Sequence, residues 1–346
     1  MRLGLVLGYS GKQINLPMDL IHHAEELGFD SVWTAESYSS DAVSTAAWVL
    51  ANTTKIRVGT AIMQMVARTP ATAATTAMSL AQLSGGRFIM GLGASGPQVV
   101  EGWHGTGYKR PLTRTREYID ICRQIMAREA PCQYEGKIYQ LPYNGPGSVG
   151  LGKPLKTILQ ADTSIPIYTA SITPSGLATS AEIADGVFPV WMDPNNYDVV
   201  GKHLEKGFAK AGNGKGLADF EVAPVITTIM GDDLKACEGP ARAMMALYIG
   251  GMGAKNNNFY TDYATAMGYG ADAEKIQDLY LAGKKDEAAL AIPQDLLDAV
   301  ALLGPEARIR EQLQAWKAAG SRGDVSAMLL GAVQPEVLSV VADEML

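Results

Sequence analysis

The sequence has few of the residues that build metal centres and disulfide frameworks. Its 346 residues include three cysteines and four histidines, and no two cysteines have C-x-x-C spacing. Zinc and thiol redox motifs need such spacing, so we expect no metal and a reduced, cytoplasmic environment. A run of about 18 uncharged apolar residues is also lacking, so we expect no membrane partner.

Blocks of basic residues are lacking too. The chain has 29 Lys and Arg against 36 Asp and Glu, a formal net charge of -7. An acidic chain of this kind is not expected to bind nucleic acid. Charged residues make up 19% and hydrophobic residues 47%, a composition typical of a folded chain with a sizeable core. We therefore expect a small-molecule partner.

A repeated alternation of apolar strands and amphipathic helices is present instead. Strand-like runs begin near residues 3, 31, 56 and 87, at the spacing of about 25 to 30 residues that a βα unit needs. Four further units follow, the last two starting with "FEVAPVITTIM" and "SAMLLGA". Eight units predict an α/β fold, a single (β/α)8 TIM barrel over residues 1–346. Irregular insertions are expected after strand 4 and after strand 7, the second leading into helices over residues 273–316.

Gly91, Gly93 and Gly96 have the G-x-G-x-x-G spacing of a dinucleotide fingerprint. That fingerprint belongs in the first βα turn and opens a helix, whereas this motif follows the fourth strand. The Gly- and Pro-rich residues after Gly96 predict a long loop. We interpret the glycines as sites of close approach by backbone or a flat ligand, at the end of the barrel that carries active sites. Relief of crowding is the alternative.

Several motifs together resemble a known family. "AEELGFDSVWTAES", "IRVGTAIM", "RFIMGLGASG" and "LLGPEARIREQLQAW" look like the bacterial luciferase-like superfamily of barrel oxidoreductases. "PIYTASITPSGLATSAEIADGVFPVWMDP" is most similar to the branch that uses the deazaflavin coenzyme F420 and includes methylenetetrahydromethanopterin reductase. The resemblance implies a homodimer and a cofactor that is either F420 or flavin mononucleotide (FMN).

The resemblance also implies where the cofactor ring lies. The similar enzymes have a non-prolyl cis peptide that backs the ring, which would correspond here to Ala61-Ile62. Met63 and Trp191 are candidate pocket walls, although core packing explains them equally well.

Two strand ends offer hydroxyl and backbone N–H donors for the phosphate of a cofactor tail. They are "GASGPQ" and "SITPSGL", and in the second Thr173 could instead be an ordinary helix N-cap ahead of Pro174. The candidate contacts at these two ends are Gly93, Ser95, Gly96, Gln98, Ser171, Ile172, Thr173 and Gly176.

Three titratable residues are candidates for proton transfer. Glu36 follows the second strand, and a buried carboxyl there could donate a proton or contact the cofactor. Glu101 and His104 lie in "EGWHG", and a histidine titrates near neutral pH. A surface charge, a helix cap or an incidental loop histidine are the alternatives. Related sugar-phosphate dehydrogenases have an acid–histidine pair at the position of Glu36, whereas Ser37 follows here.

These observations favour hydride transfer, in which a cofactor carries the reactive electrons and the protein supplies orientation and dryness. We expect an F420-dependent oxidoreductase that acts on a small organic substrate. The alternatives are an FMN-dependent monooxygenase and a barrel that binds a cofactor without chemistry.

Overall fold

A computed structural model describes residues 1–8, 10–255 and 257–346 of the chain, and these alternate between strands and helices. The strands are Arg2–Val6 (β1), Ser31–Thr34 (β2), Arg57–Thr60 (β3), Met63–Gln64 (β4), Phe88–Gly93 (β5), Tyr134–Glu135 (β6), Gln140–Leu141 (β7), Ile167–Ala170 (β8), Gly186–Phe188 (β9), Glu221–Val222 (β10), Val225–Met230 (β11), Ala301–Gly304 (β12) and Ala327–Gly331 (β13).

Helices cover most of the connections between the strands. They are Met18–Glu26 (α1), Ala42–Ala51 (α2), Pro70–Ser84 (α3), Pro97–Gly102 (α4), Pro111–Ala127 (α5), Pro174–Ile183 (α6), Asp198–Ala211 (α7), Leu234–Ala246 (α8), Phe259–Ala266 (α9), Gly270–Leu281 (α10), Lys285–Leu290 (α11), Gln294–Val300 (α12), Glu306–Arg322 (α13) and Pro335–Met345 (α14). A 3-10 helix at Leu217–Asp219 and a π-helix at Leu247–Gly251 complete the set.

The helix starts follow capping chemistry that is visible in the sequence. Asp41 precedes α2, and its carboxylate accepts bonds from the backbone N–H groups of Val43 and Ser44. Thr69 precedes α3, where its hydroxyl accepts from the N–H of Thr72 and proline fills the first helical position. Both arrangements satisfy N–H groups that have no partner inside the helix.

The parallel strands close into a barrel. Neighbours run in the order β10, β9, β8, β5, β3, β2, β1, β13, β11, and β4 also pairs with β5. Only Ala223 and Pro224 separate β10 from β11, so these are two parts of one strand. Since β10 pairs with β9 and β11 pairs with β13, the sheet returns to its start. The expected TIM barrel is confirmed.

One strand was not predicted. β12 pairs with β11 from Thr227–Ala301 to Met230–Gly304, although residues 273–316 were expected to be helical throughout. Thr227 also pairs with Gly331 of β13, so β12 occupies the opposite edge of β11. The apolar run that forms β12 follows α12 without a Gly or Pro, so nothing local marks the change from helix to strand.

Two regions expected to be irregular contain regular structure. The six-residue helix α4 replaces the loop predicted after Gly96, and α9 occupies part of residues 250–270. Residues 128–166, between α5 and β8, contain the small hairpin of β6 and β7. The description of the segments after β5 and after β11 as insertions stays a prediction.

The lower part of the barrel interior is filled with aromatic side chains. The ring centroids of Trp33 and Phe188 lie 5.0 Å apart, and Tyr168 packs 5.7 Å from Trp33 and 5.5 Å from Phe188. Gly59 makes room for them, because a Cβ there would lie 2.2 Å from the Trp33 ring. The barrel is a packed core rather than a pore, so a ligand has room only at its mouth.

Candidate active site

The barrel mouth is formed by the carboxyl ends of the parallel strands. Ala61 and Ile62 follow β3, residues 94–96 follow β5 and residues 171–173 follow β8, and all of these are partly exposed. β3 and β4 pair with β5, and β5 pairs with β8. The candidate cofactor contacts therefore come from adjacent positions around the rim.

The segment between β3 and β4 crosses the rim very close to β5. The peptide bond between Ala61 and Ile62 is cis, as the resemblance implied. A Cβ on Gly91 would lie 1.7 Å from the backbone oxygen of Thr60, and a Cβ on Gly93 would lie 2.4 Å from Ile62 Cδ1. Both glycines therefore leave room for another part of the same chain, Gly91 for the backbone of Thr60 and Gly93 for the side chain of Ile62. Ile62 forms a partly exposed apolar surface above Gly93.

The end of β5 has a conformation that is rare for its residue type. Ser95 has a φ of 59°, in the left-handed region that disfavours non-glycine residues. Gly96 is the N-cap of α4, so the third glycine of the motif does open a helix, contrary to our expectation. The helix has only six residues and leaves the fourth position of a closed barrel, so the dinucleotide interpretation still fails. Gln98 is exposed on this helix.

The hydroxyls after β8 have a local structural role. Thr173 is the N-cap of α6, and its Oγ1 accepts the Gly176 N–H at 3.1 Å. A Cβ on Gly176 would lie 2.0 Å from the Ser171 hydroxyl oxygen. The N–H of Gly176 is thus already used, which leaves the Ser171 and Thr173 hydroxyls as the polar groups of this strand end. Ile172 lies between them and is partly exposed.

Two expected wall residues are buried. Met63 is fully buried, and Trp191 is 4% exposed in a cluster beneath the helices that follow β11. The Trp191 ring packs 5.8 Å from Tyr248 and 5.4 Å from Tyr260. Its φ of 52° is unusual for a bulky residue. The packing alternative accounts for both side chains.

Glu36 is held in a buried ion pair. Its Oε1 accepts bonds from the Arg68 guanidinium and the Gln64 backbone N–H, both at 2.8 Å, and its Oε2 accepts the Ala42 N–H at 3.0 Å. Burial by itself lowers the pKa of Arg68, but the bond to Glu36 outweighs it and the pKa lies above its usual value. The carboxylate therefore joins β2, α2 and the segment after β4.

His104 joins the same network through Gln64. The His104 Nε2 lies 2.6 Å from Gln64 Oε1, and Gln64 Nε2 donates to the backbone oxygen of Glu36 at 3.2 Å. The structure thus brings Glu36 and His104 together. Glu101 is exposed and accepts the Tyr108 N–H at 3.2 Å, which is a loop contact outside this network.

Sequence reasoning missed Arg68 and the linking role of Gln64. Arg68 lies 32 positions from Glu36, and no spacing rule connects them. Gln64 is a polar residue in the otherwise apolar run "AIMQM", which is the one local signal that could have drawn attention to it.

A cleft of about 480 Å³ opens at the opposite end of the barrel. Its lining includes Arg2, Tyr168 and Glu221, and Arg2 pairs with Glu221 at 2.6 Å. Arg2 and Glu221 are the first residues of β1 and β10, and Tyr168 is the second residue of β8. The cleft therefore lies at the amino ends of the strands and is separate from the rim. TIM-barrel active sites lie at the carboxyl ends, and we assign the candidate site there.

Within the described residues, no group of three or more His, Cys, Asp and Glu side chains is arranged to hold a metal ion. No helix in those residues has the length and apolar character needed to cross a bilayer. The three cysteines are free, and burial raises the pKa of the Cys122 thiol far above its usual range.

The closed parallel barrel and its rim of strand-end residues define an α/β protein of the TIM-barrel class. Residues 4–323 match the sequence profile of the luciferase-like monooxygenase family, and the chain belongs to this family. The resemblance to the luciferase-like superfamily that the sequence motifs indicated is confirmed.

The chain is similar to several proteins of this family in sequence and in structure. It is 44% identical over 324 residues, 92% of this chain and 93% of the other, to a Mycobacterium tuberculosis protein named as a coenzyme F420-dependent oxidoreductase. It is 25% identical over 327 residues, 93% and 92% of the two chains, to 5,10-methylenetetrahydromethanopterin reductase of Archaeoglobus fulgidus. The structure of the coenzyme F420-dependent tetrahydromethanopterin reductase from Methanopyrus kandleri matches with a TM-score of 0.75 over 99% and 98% of the chains. Its 21% identity shows the shared fold.

Proposed function

We propose that this protein is a coenzyme F420-dependent oxidoreductase that transfers a hydride to or from a small organic substrate. The observation that carries the proposal is the 44% identity, over nearly the whole of both chains, to a relative named for this activity. Coenzyme F420 supplies a deazaflavin ring whose C5 gives or takes a hydride.

The residues at the rim fit such a cofactor. Ile62 offers an apolar surface to a flat ring, and the missing side chain of Gly93 leaves room for Ile62 to pack against β5. Hydroxyls of Ser95, Ser171 and Thr173 at two adjacent strand ends suit the phosphate of a tail. The proposed cofactor contacts are Ala61, Ile62, Gly93, Ser95, Gly96, Gln98, Ser171, Ile172, Thr173 and Gly176, with Met63 and Trp191 supporting them from the core.

Two cations lie in the segment that joins α4 to α5. Lys109 and Arg110 are exposed immediately before α5. Their distance from a bound tail matters, since charges are screened beyond about 8 to 10 Å at physiological salt. We propose that they attract the anionic tail.

The three acid–base candidates receive different roles. His104 is the proposed proton-transfer group, because it is partly exposed and an imidazole ring can both donate and accept a proton. Glu36 has its two oxygens engaged by three donors, so we assign it to positioning the rim rather than to proton donation. Glu101 is exposed on α4, and its role in catalysis stays a prediction.

We expect the purified protein to bind coenzyme F420 more tightly than FMN, by at least about tenfold, or about 1.4 kcal/mol. Titration with each cofactor, followed by the change in its absorbance or fluorescence, measures this directly. Tight FMN binding with oxygen consumption would support the monooxygenase alternative and contradict the proposal. Binding of F420 without turnover of a broad panel of acceptors would identify a barrel that only binds.

Replacing Gly96 with valine is expected to weaken F420 binding by about tenfold or more while the barrel stays folded. The backbone at Gly96 is extended, with φ -95° and ψ 159°, which valine adopts readily. The nearest atom to an added Cβ is Gln98 Oε1 at 3.1 Å, the end of a flexible side chain. The added branches would obstruct the approach of a tail to the strand end.

Gly102→Val is the matched control, because a Cβ at Gly102 meets nothing within 4 Å. Equilibrium titration and thermal unfolding are measured on both variants. Unchanged affinity would contradict a role of Gly96 in binding, and unfolding of Gly96→Val would show that the glycine is structural.

The homodimer, the cytoplasmic location and the single-domain organisation remain predictions. A small organic substrate is part of the proposal.

A further inference from the structure

Gln64 is fixed at both its backbone and its side chain. It lies in β4, where it pairs with Gly93, and its side chain is 1% exposed. Its backbone N–H donates to Glu36 Oε1, and its Nε2 donates to the Glu36 backbone oxygen. The amide therefore has a defined position from which it meets His104.

The direction of these bonds assigns the proton on His104. A backbone carbonyl can only accept, so the amide nitrogen of Gln64 must face Glu36 and the amide oxygen must face His104. Because that oxygen also only accepts, the His104 Nε2 must carry a proton. A neutral ring that is protonated at Nε2 has an unprotonated Nδ1.

We propose that Gln64 is a positioning residue that holds neutral His104 in the Nε2–H tautomer and makes Nδ1 its proton-exchanging atom. Within residues 1–8, 10–255 and 257–346, no protein group forms a hydrogen bond with His104 Nδ1. The backbone around the ring is also ordered, since the Trp103 and His104 N–H groups both donate to the Val99 oxygen.

A neutral amide suits this task better than a carboxylate would. A carboxylate beside Nε2 would stabilise the charged ring and raise the pKa of the histidine. An amide selects the tautomer without placing a charge beside the ring, and it leaves Nδ1 as the nitrogen that can exchange a proton. Only a proton moves between Nδ1 and a heteroatom of the substrate. The electron pair of the broken bond stays on the atom that loses the proton, and the accepting atom forms the new bond with its own lone pair.

The assignment of Nδ1 to substrate rests on the proposed function, whereas the tautomer is a property of the chain alone. We expect nitrogen-15 NMR of the cofactor-free protein at a pH of about 8, above the usual histidine pKa of about 6.5, to show His104 protonated at Nε2. A spectrum of His104→Ala identifies the resonance. His22 is an internal reference, since its Nε2 lies 2.8 Å from the Asn52 backbone oxygen and must also carry a proton.

Gln64→Met keeps the length of the side chain and removes the amide. We expect His104 to become a mixture of tautomers in this variant while His22 is unchanged, and kcat/KM to fall by roughly 10- to 100-fold. Circular dichroism establishes that the variant is folded. If it does not fold, the wild-type spectrum still decides, because Nδ1–H at His104 contradicts the proposal.

An unchanged His104 tautomer in folded Gln64→Met would overturn the positioning role. If the wild-type protein has no F420 activity but the NMR result is as expected, the proposed function fails and the positioning of His104 stands.

Discussion

Alanine in place of Glu36 is expected to lower the free energy of unfolding by about 3 kcal/mol or more, because it leaves the largely buried Arg68 without its main partner. The Arg68 side chain is only 16% exposed, and its remaining carboxylate contact is with Asp41 at 3.3 Å. The change also removes the acceptor for the N–H groups of Ala42 and Gln64. Each of these buried donors, left without an acceptor in the folded protein, adds to the loss.

Asp41→Ala is the matched control for this prediction. Asp41 contacts the same arginine and caps α2, but its side chain is 45% exposed, so we expect a loss of about 1 kcal/mol. Urea unfolding of both variants gives the comparison, provided that the free energy of unfolding falls with urea concentration at the same slope in both. Glu36→Gln, which keeps an acceptor and removes the charge, should fall between them. A loss in Glu36→Ala no larger than that in Asp41→Ala would contradict the importance of the buried pair.

Alanine at Gly91 is expected to be the more damaging change. Its Cβ would lie 1.7 Å from the Thr60 backbone oxygen, so relief requires movement of β3 or β5 rather than of a side chain. Thr60 also exchanges two hydrogen bonds with Gly91, at 2.7 and 3.0 Å, and these would break with such a movement. We expect a loss of more than about 3 kcal/mol, above the usual range for overpacking, or failure to fold.

Gly102→Ala provides the reference, since open space surrounds Gly102 and alanine favours a helix. Soluble yield, circular dichroism and urea unfolding measure both variants. If Gly91→Ala were as stable as Gly102→Ala, close packing of β3 on β5 would not be the reason for this glycine.

Much of the fold could be predicted because its signals are local. The helix that starts at Pro70 follows from Thr69-Pro70, and the start of α6 at Pro174 follows from Thr173-Pro174. Strand β12 could not be predicted, since no local signal separates it from α12 and its strand structure depends on pairing with β11. Helix α4 was missed because the Gly- and Pro-rich sequence around it suggested a loop.

The candidate site was predicted less completely than the fold. The rim residues from Ala61 to Gly96 could be placed because strand ends of a parallel barrel share one face. The burial of Trp191 could not be inferred, because it depends on the packing of Tyr248 and Tyr260 from a distant segment. The link from Glu36 to His104 was equally invisible, because it passes through a side chain on a third strand end.

The sequence by itself determined the alternation of strands and helices, the family, and the positions of close approach at Gly91 and Gly93. These depend on periodicity, capping and motif spacing, which act over a few residues. Only the tertiary structure decided what the glycines contact, that Arg68 pairs with Glu36, and that Gln64 directs the proton of His104 to Nε2. Hydrogen bonds and ion pairs act over about 3 to 4 Å in space, and residues 28 to 40 positions apart meet only after the barrel has closed.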